Sequence, residues 1–395
     1  MLELGSWESA GATMAFASTS TVTMFQGVAP VELLRERVRE ITLAHPWLAG
    51  RLKTEDGRVT LRPAPTETAH FEVVDGHVLA PTMSYEAILQ QVRPHLVPPG
   101  AACVDEDEPL FRVVVFAQAS AFAVLVSLSH VLGDGSTFYQ IYGLLSMDAV
   151  SPAAHAVDAS SARLPEFPDF CQGAFGAAKE RWLSTPEVYA SMQRAWEEPM
   201  RFDVHHLNGA WLDEQKRSHM ERDAAAAPYV STNDVLTSWF FGLGGFFGYG
   251  IMAINCRGRQ PGLTYAHLGN YETFVHYFPD EAATPAGVRT ALLHPPKFAA
   301  GRADVPTAVE SRSLHWACAT NWSTFYQHVA LPGCAQLVHL PLYDVDVFMP
   351  GGMVIFRPNE GRLALLSMVR SDAHQACLKE SGALGAAVLG GSHLL

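Results

Sequence analysis

The run Ser129-His-Val-Leu-Gly-Asp-Gly-Ser136 separates an apolar, β-like segment from a helix-like one. It asks for a strand to end, the backbone to turn and a helix to start within a few residues. His130 stands at the strand end, Asp134 follows in position to fix its geometry, and Gly135 lets the chain turn sharply, expected here through a backbone conformation closed to residues with side chains. Those are the parts of a general base that moves a proton off an attacking hydroxyl or amine. A histidine satisfied at a strand end, followed by an ordinary Asp-Gly turn, fits the same residues.

The flanks support the strand–turn–helix reading. Residues Leu110 to Phe116 and Phe122 to Ser129 are rich in β-branched and aromatic side chains, and the break at Gln118-Ala119-Ser120 predicts an antiparallel pair. Phe122, Val124, Val126 and Leu128 share one face, while Ala123, Leu125, Ser127 and Ser129 share the other, so both faces read as largely buried. Ser136 is the expected N-cap of a helix through Leu145.

Upstream, Pro30 opens a predicted helix to about Leu43, with Leu34, Val38 and Ile41 on one face. Residues 151 to 168, rich in Ala, Ser and Pro, read as a surface linker, and helical segments follow, including Glu180 to Trp196. The second half opens with a helix over Asn233 to Phe241 and a strand over Tyr249 to Cys256. Near the end, Met353 to Arg357 and Leu363 to Met368 flank the hairpin turn Pro358-Asn-Glu-Gly361.

At 395 residues the chain is long enough for two or three domains, and 48% apolar with 17% charged residues describes a compact chain with sizeable cores. A net charge of -13 argues against nucleic acid as a partner. The six cysteines are dispersed with no C-x-x-C pair, which excludes a disulfide framework or zinc site as the default and points to a cytosol-like compartment. The opening Met-Leu-Glu-Leu-Gly-Ser-Trp-Glu has neither a basic n-region nor a long apolar h-region, so a cytoplasmic location is expected. Val235 to Asn255 is free of charge, but Gly242, Gly244, Gly245, Gly248 and Gly250 make a buried helix, a glycine loop and a strand a better reading than a membrane span.

Other motifs fall away on inspection. His130 and Asp134 have no nearby third ligand, so no metal is expected. Gly242-Leu-Gly244-Gly245-Phe246-Phe247 places Phe247 where a dinucleotide fingerprint needs its third glycine, and no Gly-x-Ser-x-Gly elbow occurs.

Strand, His-x-x-x-Asp-Gly and helix together resemble the active-site element of the chloramphenicol acetyltransferase-like superfamily, which includes plant BAHD acyltransferases, peptide-synthetase condensation domains and wax-ester-type acyltransferases. Further features follow in the family's order. His45-Pro46-Trp47-Leu48-Ala49-Gly50-Arg51-Leu52 looks like the Pro-x-Leu-x-Gly-Arg-Leu after the first helix. Asn255-Cys-Arg257-Gly-Arg259 with Gly269-Asn270 is similar to the Asn-x-Arg-x-Arg and Gly-Asn pair, and Thr320-Asn321-Trp322 to the plant Thr-Ser-Trp segment. The plant Asp-Phe-Gly-Trp-Gly is replaced by Leu331-Pro332-Gly333-Cys334-Ala335, and Ser129 stands where condensation domains carry the first of two histidines.

The resemblance implies two α/β domains, each a mixed β-sheet with covering helices, with an active-site tunnel between them. Residues 1–170 would form the first domain, 171–231 a helical crossover and linker, and 232–395 the second. It implies a monomeric acyltransferase using acyl-coenzyme A as donor substrate, no tightly bound cofactor, and a small hydroxyl or amine acceptor. His130 would be the base, within a catalytic set with Asp134 and Gly135. Asp134 would point away from substrate to pair with Arg257, for which a buried carboxylate favours a bidentate guanidinium. Asn270 would give structural support, and Thr320 and Trp322 would face the oxyanion. Two alternatives stay open: a non-catalytic member binding a hydrophobic ligand or protein in the same cleft, and a condensation-type enzyme taking acyl groups from a carrier protein.

Overall fold

A computed structural model describes residues 4–9, 11–62, 70–76, 79–148, 164, 166–175, 181–182, 185–194, 200–293, 307–343 and 351–390. A five-stranded sheet runs from β11 (Ala335–Leu342) through β1 (Thr19–Gln26), β6 (Ala121–Leu128) and β5 (Phe111–Ala117) to β4 (His70–Asp75). A seven-stranded sheet runs from β14 (Leu384–Ala387) through β7 (Arg201–Leu207), β13 (Ala364–Val369), β12 (Gly352–Phe356), β10 (Trp316–Asn321) and β8 (Tyr249–Asn255) to β9 (Glu272–Tyr277). The ribbon of β2 (Arg51–Glu55) and β3 (Arg58–Arg62) stands apart.

Both large sheets are mixed. In the first, β4 and β5 are parallel and the other pairs antiparallel. In the second, β10 lies parallel between β8 and β12. The antiparallel pairing of β5 with β6 and of β12 with β13 is that expected from the apolar runs and their turns. Strand β6 is buried along both faces from Phe122 to Leu128, which is why its sequence reads as a continuous apolar run.

The predicted helices lie close to their expected places, at Val31–Ala44 and Thr232–Gly242. The latter, a glycine turn and β8 together account for the uncharged stretch of 235–255. Among the described residues no helix is long and apolar enough to cross a membrane. Most of the expected linker at 151–168 and part of the helical stretch at 180–196 lie outside the described residues.

The sheets do not follow the order of the chain. β11 comes from the second half and pairs with β1, and β7, from the stretch read as a helical crossover, lies inside the second sheet. An antiparallel partner more than three hundred residues away carries no local signature, because pairing is chosen by which buried faces must be covered.

The core of the first sheet contains a polar network around a histidine. His339 on β11 is fully buried, with Nδ1 2.9 Å from Thr23 Oγ1 and Nε2 2.9 Å from the Tyr139 hydroxyl. Tyr142 completes it, 2.7 Å from Thr23. Burial pushes the His339 imidazole down to about 3. The unfolded chain therefore binds a proton near pH ~6.5 that the folded chain refuses until much lower pH. The contribution of His339 is present above that unfolded value and is lost as pH falls towards 3, with a slope of about 1.4 kcal/mol per pH unit. Urea unfolding below neutral pH is expected to show this slope, and His339→Gln to flatten it. A slope unaffected by the substitution would assign the acid sensitivity elsewhere.

Candidate active site

β6 delivers His130 at its C-terminal end. The Ser129 N–H donates to Leu110 O at 2.8 Å, and the Ser129 carbonyl accepts from Leu132 N–H at 3.0 Å, which turns the chain out of the sheet. The next helix spans Gly135–Gly143, and Asp134 is its N-cap, with Oδ1 accepting from Thr137 N–H at 2.9 Å. The expected cap, Ser136, lies inside the first turn instead. A carboxylate reaches the free N–H at the third helical position and complements the positive end of the helix dipole.

The other Asp134 oxygen accepts from Arg257 Nη1 at 2.6 Å and from the Tyr271 N–H at 2.9 Å. Contact with the guanidinium is thus through one nitrogen rather than the bidentate fork expected from sequence, because Oδ1 is committed to the helix. Arg257 spreads its remaining donors. Nε bonds His267 O at 2.9 Å, Nη1 also bonds Asn255 Oδ1 at 3.1 Å, and Nη2 bonds Thr137 Oγ1 at 3.0 Å and Gly269 O at 2.9 Å. All five guanidinium N–H groups are thereby satisfied. Both side chains of the pair are buried, so Asp134 is turned away from solvent.

Gly135 differs from expectation in its backbone. Its φ is not positive, so no left-handed conformation requires the glycine. A Cβ there would stand 3.4 Å from Trp322 Nε1 and 3.6 Å from Trp322 Cδ1. The missing side chain lets the indole lie against the start of the helix.

Asn270 closes the loop from the other half of the chain. Its Nδ2 donates to His130 O at 2.6 Å, its N–H donates to the buried Glu8 Oε1 at 3.1 Å, and its carbonyl accepts from Trp7 Nε1 at 2.6 Å. The His130 imidazole opens into a cavity of about 270 Å³ walled by Trp7, Phe16, Phe167 and Phe274, with Glu272 and Cys171 among its lining residues. Phe16 meets the imidazole edge-on at 5.3 Å. The cavity thus sits between the end of β6 in the first sheet and edge strand β9 of the second.

Within it, His130 Nε2 is 3.3 Å from Glu272 Oε1. Burial holds the Glu272 carboxyl above the usual carboxylate range, opposed by His130, reinforced by Asp134 and opposed again by Arg257. Sequence reasoning missed Glu272. The signal that could have found it is nearness in sequence: Glu272 opens β9 two residues after Asn270, and Asn270, Glu272, Thr273 and Phe274 all line the cavity. Trp7 and Phe16, from the chain's first residues, carried no comparable signal.

Thr320 and Trp322 are not among the residues lining this cavity. Thr320 is half-buried on β10, and its hydroxyl has no hydrogen-bond partner among the described residues. Trp322 is buried against Tyr139 and Tyr343, with its indole lying close to Gly135. The structure therefore brings His130, Asp134, Gly135, Arg257, Asn270 and Trp322 together, and leaves Thr320 one strand residue from that group.

The two mixed sheets and their covering helices give the chain a chloramphenicol acetyltransferase-like fold. Among solved structures, the chain is similar to F. sporotrichioides TRI101 complexed with coenzyme A and T-2, at a TM-score of 0.66 and 15% identity, covering 98% of this chain and 100% of that one. It is also similar to the first condensation domain of the calcium-dependent antibiotic synthetase in complex with a substrate analogue, at 0.58 and 11%, covering 98% of each chain. Polyketide synthase associated protein 5 from Mycobacterium tuberculosis matches at 0.57 and 14%, covering 95% of this chain and 94% of that one. No protein-family model matches the sequence, and no curated protein matches it.

Proposed function

We propose that this protein is an acyltransferase that moves an acyl group from a thioester, an acyl-coenzyme A, to a hydroxyl or amine of a small acceptor, with no tightly bound cofactor. The observation that carries this reading is His130 itself. Its Nε2 faces an aromatic-walled cavity, while the loop behind it is held by a fully bonded, buried Asp134–Arg257 pair. A satisfied structural histidine would not need one nitrogen left towards a cavity.

In the step proposed, Nε2 takes the acceptor's proton as its oxygen or nitrogen attacks the thioester carbonyl. The tetrahedral intermediate collapses by breaking the C–S bond, and the imidazolium returns the proton to the departing thiolate. Thioesters already supply a good leaving group, so the chain's own residues suffice to position and deprotonate. Asp134, Arg257 and Asn270 act on the loop, not on substrate.

By the resemblance, Trp322 is read as the donor to the oxyanion, with Thr320 as its companion, although neither lines the His130 cavity. Trp322→Phe keeps an aromatic ring, removes the N–H and leaves a void against Tyr139 and Tyr343, so kcat is expected to fall about a hundredfold alongside a modest drop in unfolding midpoint. A kcat within a few-fold of wild type would take Trp322 out of that role.

The test of the reading is acceptor-dependent thiol release from a panel of acyl-coenzyme A donors with mixed alcohols and amines. Release that needs both donor and acceptor supports acyl transfer. The likeness to a condensation domain favours one second reading, in which the acyl group arrives on a carrier protein. Activity with acyl-carrier protein and none with acyl-coenzyme A would select it.

A further inference from the structure

Removing a proton from the acceptor requires one base, yet that base has an acid for a neighbour. Glu272 Oε1 stands 3.3 Å from His130 Nε2, and the two side chains keep only 21% and 17% of their exposure. Glu272 opens β9 among Phe16, Phe274 and Trp7, where a carboxylate loses most of its hydration. Asp134 answers the same cost with a guanidinium and two backbone N–H groups. For Glu272, the neighbour within ion-pair distance among the described residues is the His130 imidazole.

The other ionisable groups that sense Glu272 leave the pair to itself. Arg257 and Asp134 neutralise each other. Cys318 and Tyr343 are pushed up by burial, Cys318 to about 12, and stay uncharged near neutrality. Cys171 shares the cavity wall. His130 Nδ1 is buried with no hydrogen-bond partner among the described residues, so Nε2 is the nitrogen whose charge the surroundings can stabilise. The 3.3 Å separation exceeds the ~2.7–2.9 Å of a tight charge-assisted hydrogen bond. An acceptor can therefore meet Nε2 while the carboxylate stays beside it.

We infer that Glu272 is a positioning residue for His130, its carboxylate orienting Nε2 towards the cavity and serving as counter-charge for the imidazolium that forms when the acceptor's proton is taken. The kinetic consequence rests on the acyltransferase reading; the pairing is a property of the resting protein. With two coupled groups this close, protons leave in two steps that belong to the pair. A neighbouring carboxylate favours the charged imidazole, so removing it must lower the pH at which His130 titrates.

The experiment is an NMR titration of the full-length protein labelled with ¹⁵N-histidine, comparing wild type with Glu272→Gln and using His130→Ala to identify the resonance. Glutamine keeps the length and the strand pairing of β9. The midpoint of His130 is expected to fall in the amide variant, and the acid limb of kcat/KM to move down with it. Glu272→Asp, which withdraws the charge by one methylene, should titrate in between, and it carries the test if the amide variant does not fold. A midpoint that stays where it was in both variants overturns the inference, whatever the activity. A midpoint that falls in a protein with no acyl transfer upholds the pairing and removes the acyltransferase reading instead. A purely structural role would lower stability and leave the midpoint in place.

Discussion

His130→Ala is expected to lower acceptor-dependent thiol release at least about a hundredfold, the range lost when a positioned general base is removed. The fall should appear in kcat more than in KM, because the imidazole acts on the proton in flight rather than on the bound acceptor's bulk. The unfolding midpoint should change little. His130 lines a cavity, and Nδ1 has no hydrogen-bond partner to orphan among the described residues. Glu272 loses its imidazole neighbour, but its carboxyl is already held above the ordinary range by burial and can take up a proton at modest cost. Release that survives the substitution would remove His130 from the chemistry. A loss of activity that came with a large loss of stability would show that the residue had been structural.

Arg257→Ala should do the opposite, with a cost in stability of about 3–5 kcal/mol, as found when one member of a buried ion pair is removed. The reason is the bonding of the guanidinium: its five N–H groups hold Asp134, Asn255, Thr137, His267 and Gly269. Asp134 is left buried and charged, and several acceptors lose their donor together. Arg257→Lys should recover only part of this, since an ammonium cannot span the same acceptors. Asp134→Ala should also destabilise, with about 1 kcal/mol of the loss coming from the helix cap. The double variant should cost less than the two single losses summed, because the second substitution removes a partner already gone. Urea unfolding of the four proteins measures this; strictly additive losses would mean that the pair is not coupled. Activity should fall in the single variants too, since the loop that presents His130 ends at the same aspartate.

How much of this was legible in the sequence depended on how local the cause was. The turn after β6 could be read because an apolar run, a glycine and a helix-like stretch stand next to one another. Even there the details slipped by two residues: Asp134, not Ser136, caps the helix, since both residue types are good caps and only the folded chain shows which one reaches Thr137 N–H. Gly135 was read as a backbone requirement and turned out to make room for Trp322. That indole comes from the far half of the chain, and no pattern around residue 135 announces it. The pairing of Asp134 with Arg257, 123 residues apart, was expected only through resemblance to a family; spacing alone would not have proposed it.

The sequence by itself determined the local elements: the hairpin of β5 and β6, the strand–turn–helix that presents His130, and the hairpin of β12 and β13. Each is set by side-chain periodicity and turn chemistry within a few residues. Only the tertiary structure decided that β11 would close the first sheet, that Asn270 would hold the His130 carbonyl, and that Glu272 would face the imidazole. Such contacts are selected by which buried faces and buried polar groups must be satisfied when distant segments meet, and that condition exists only in the folded chain.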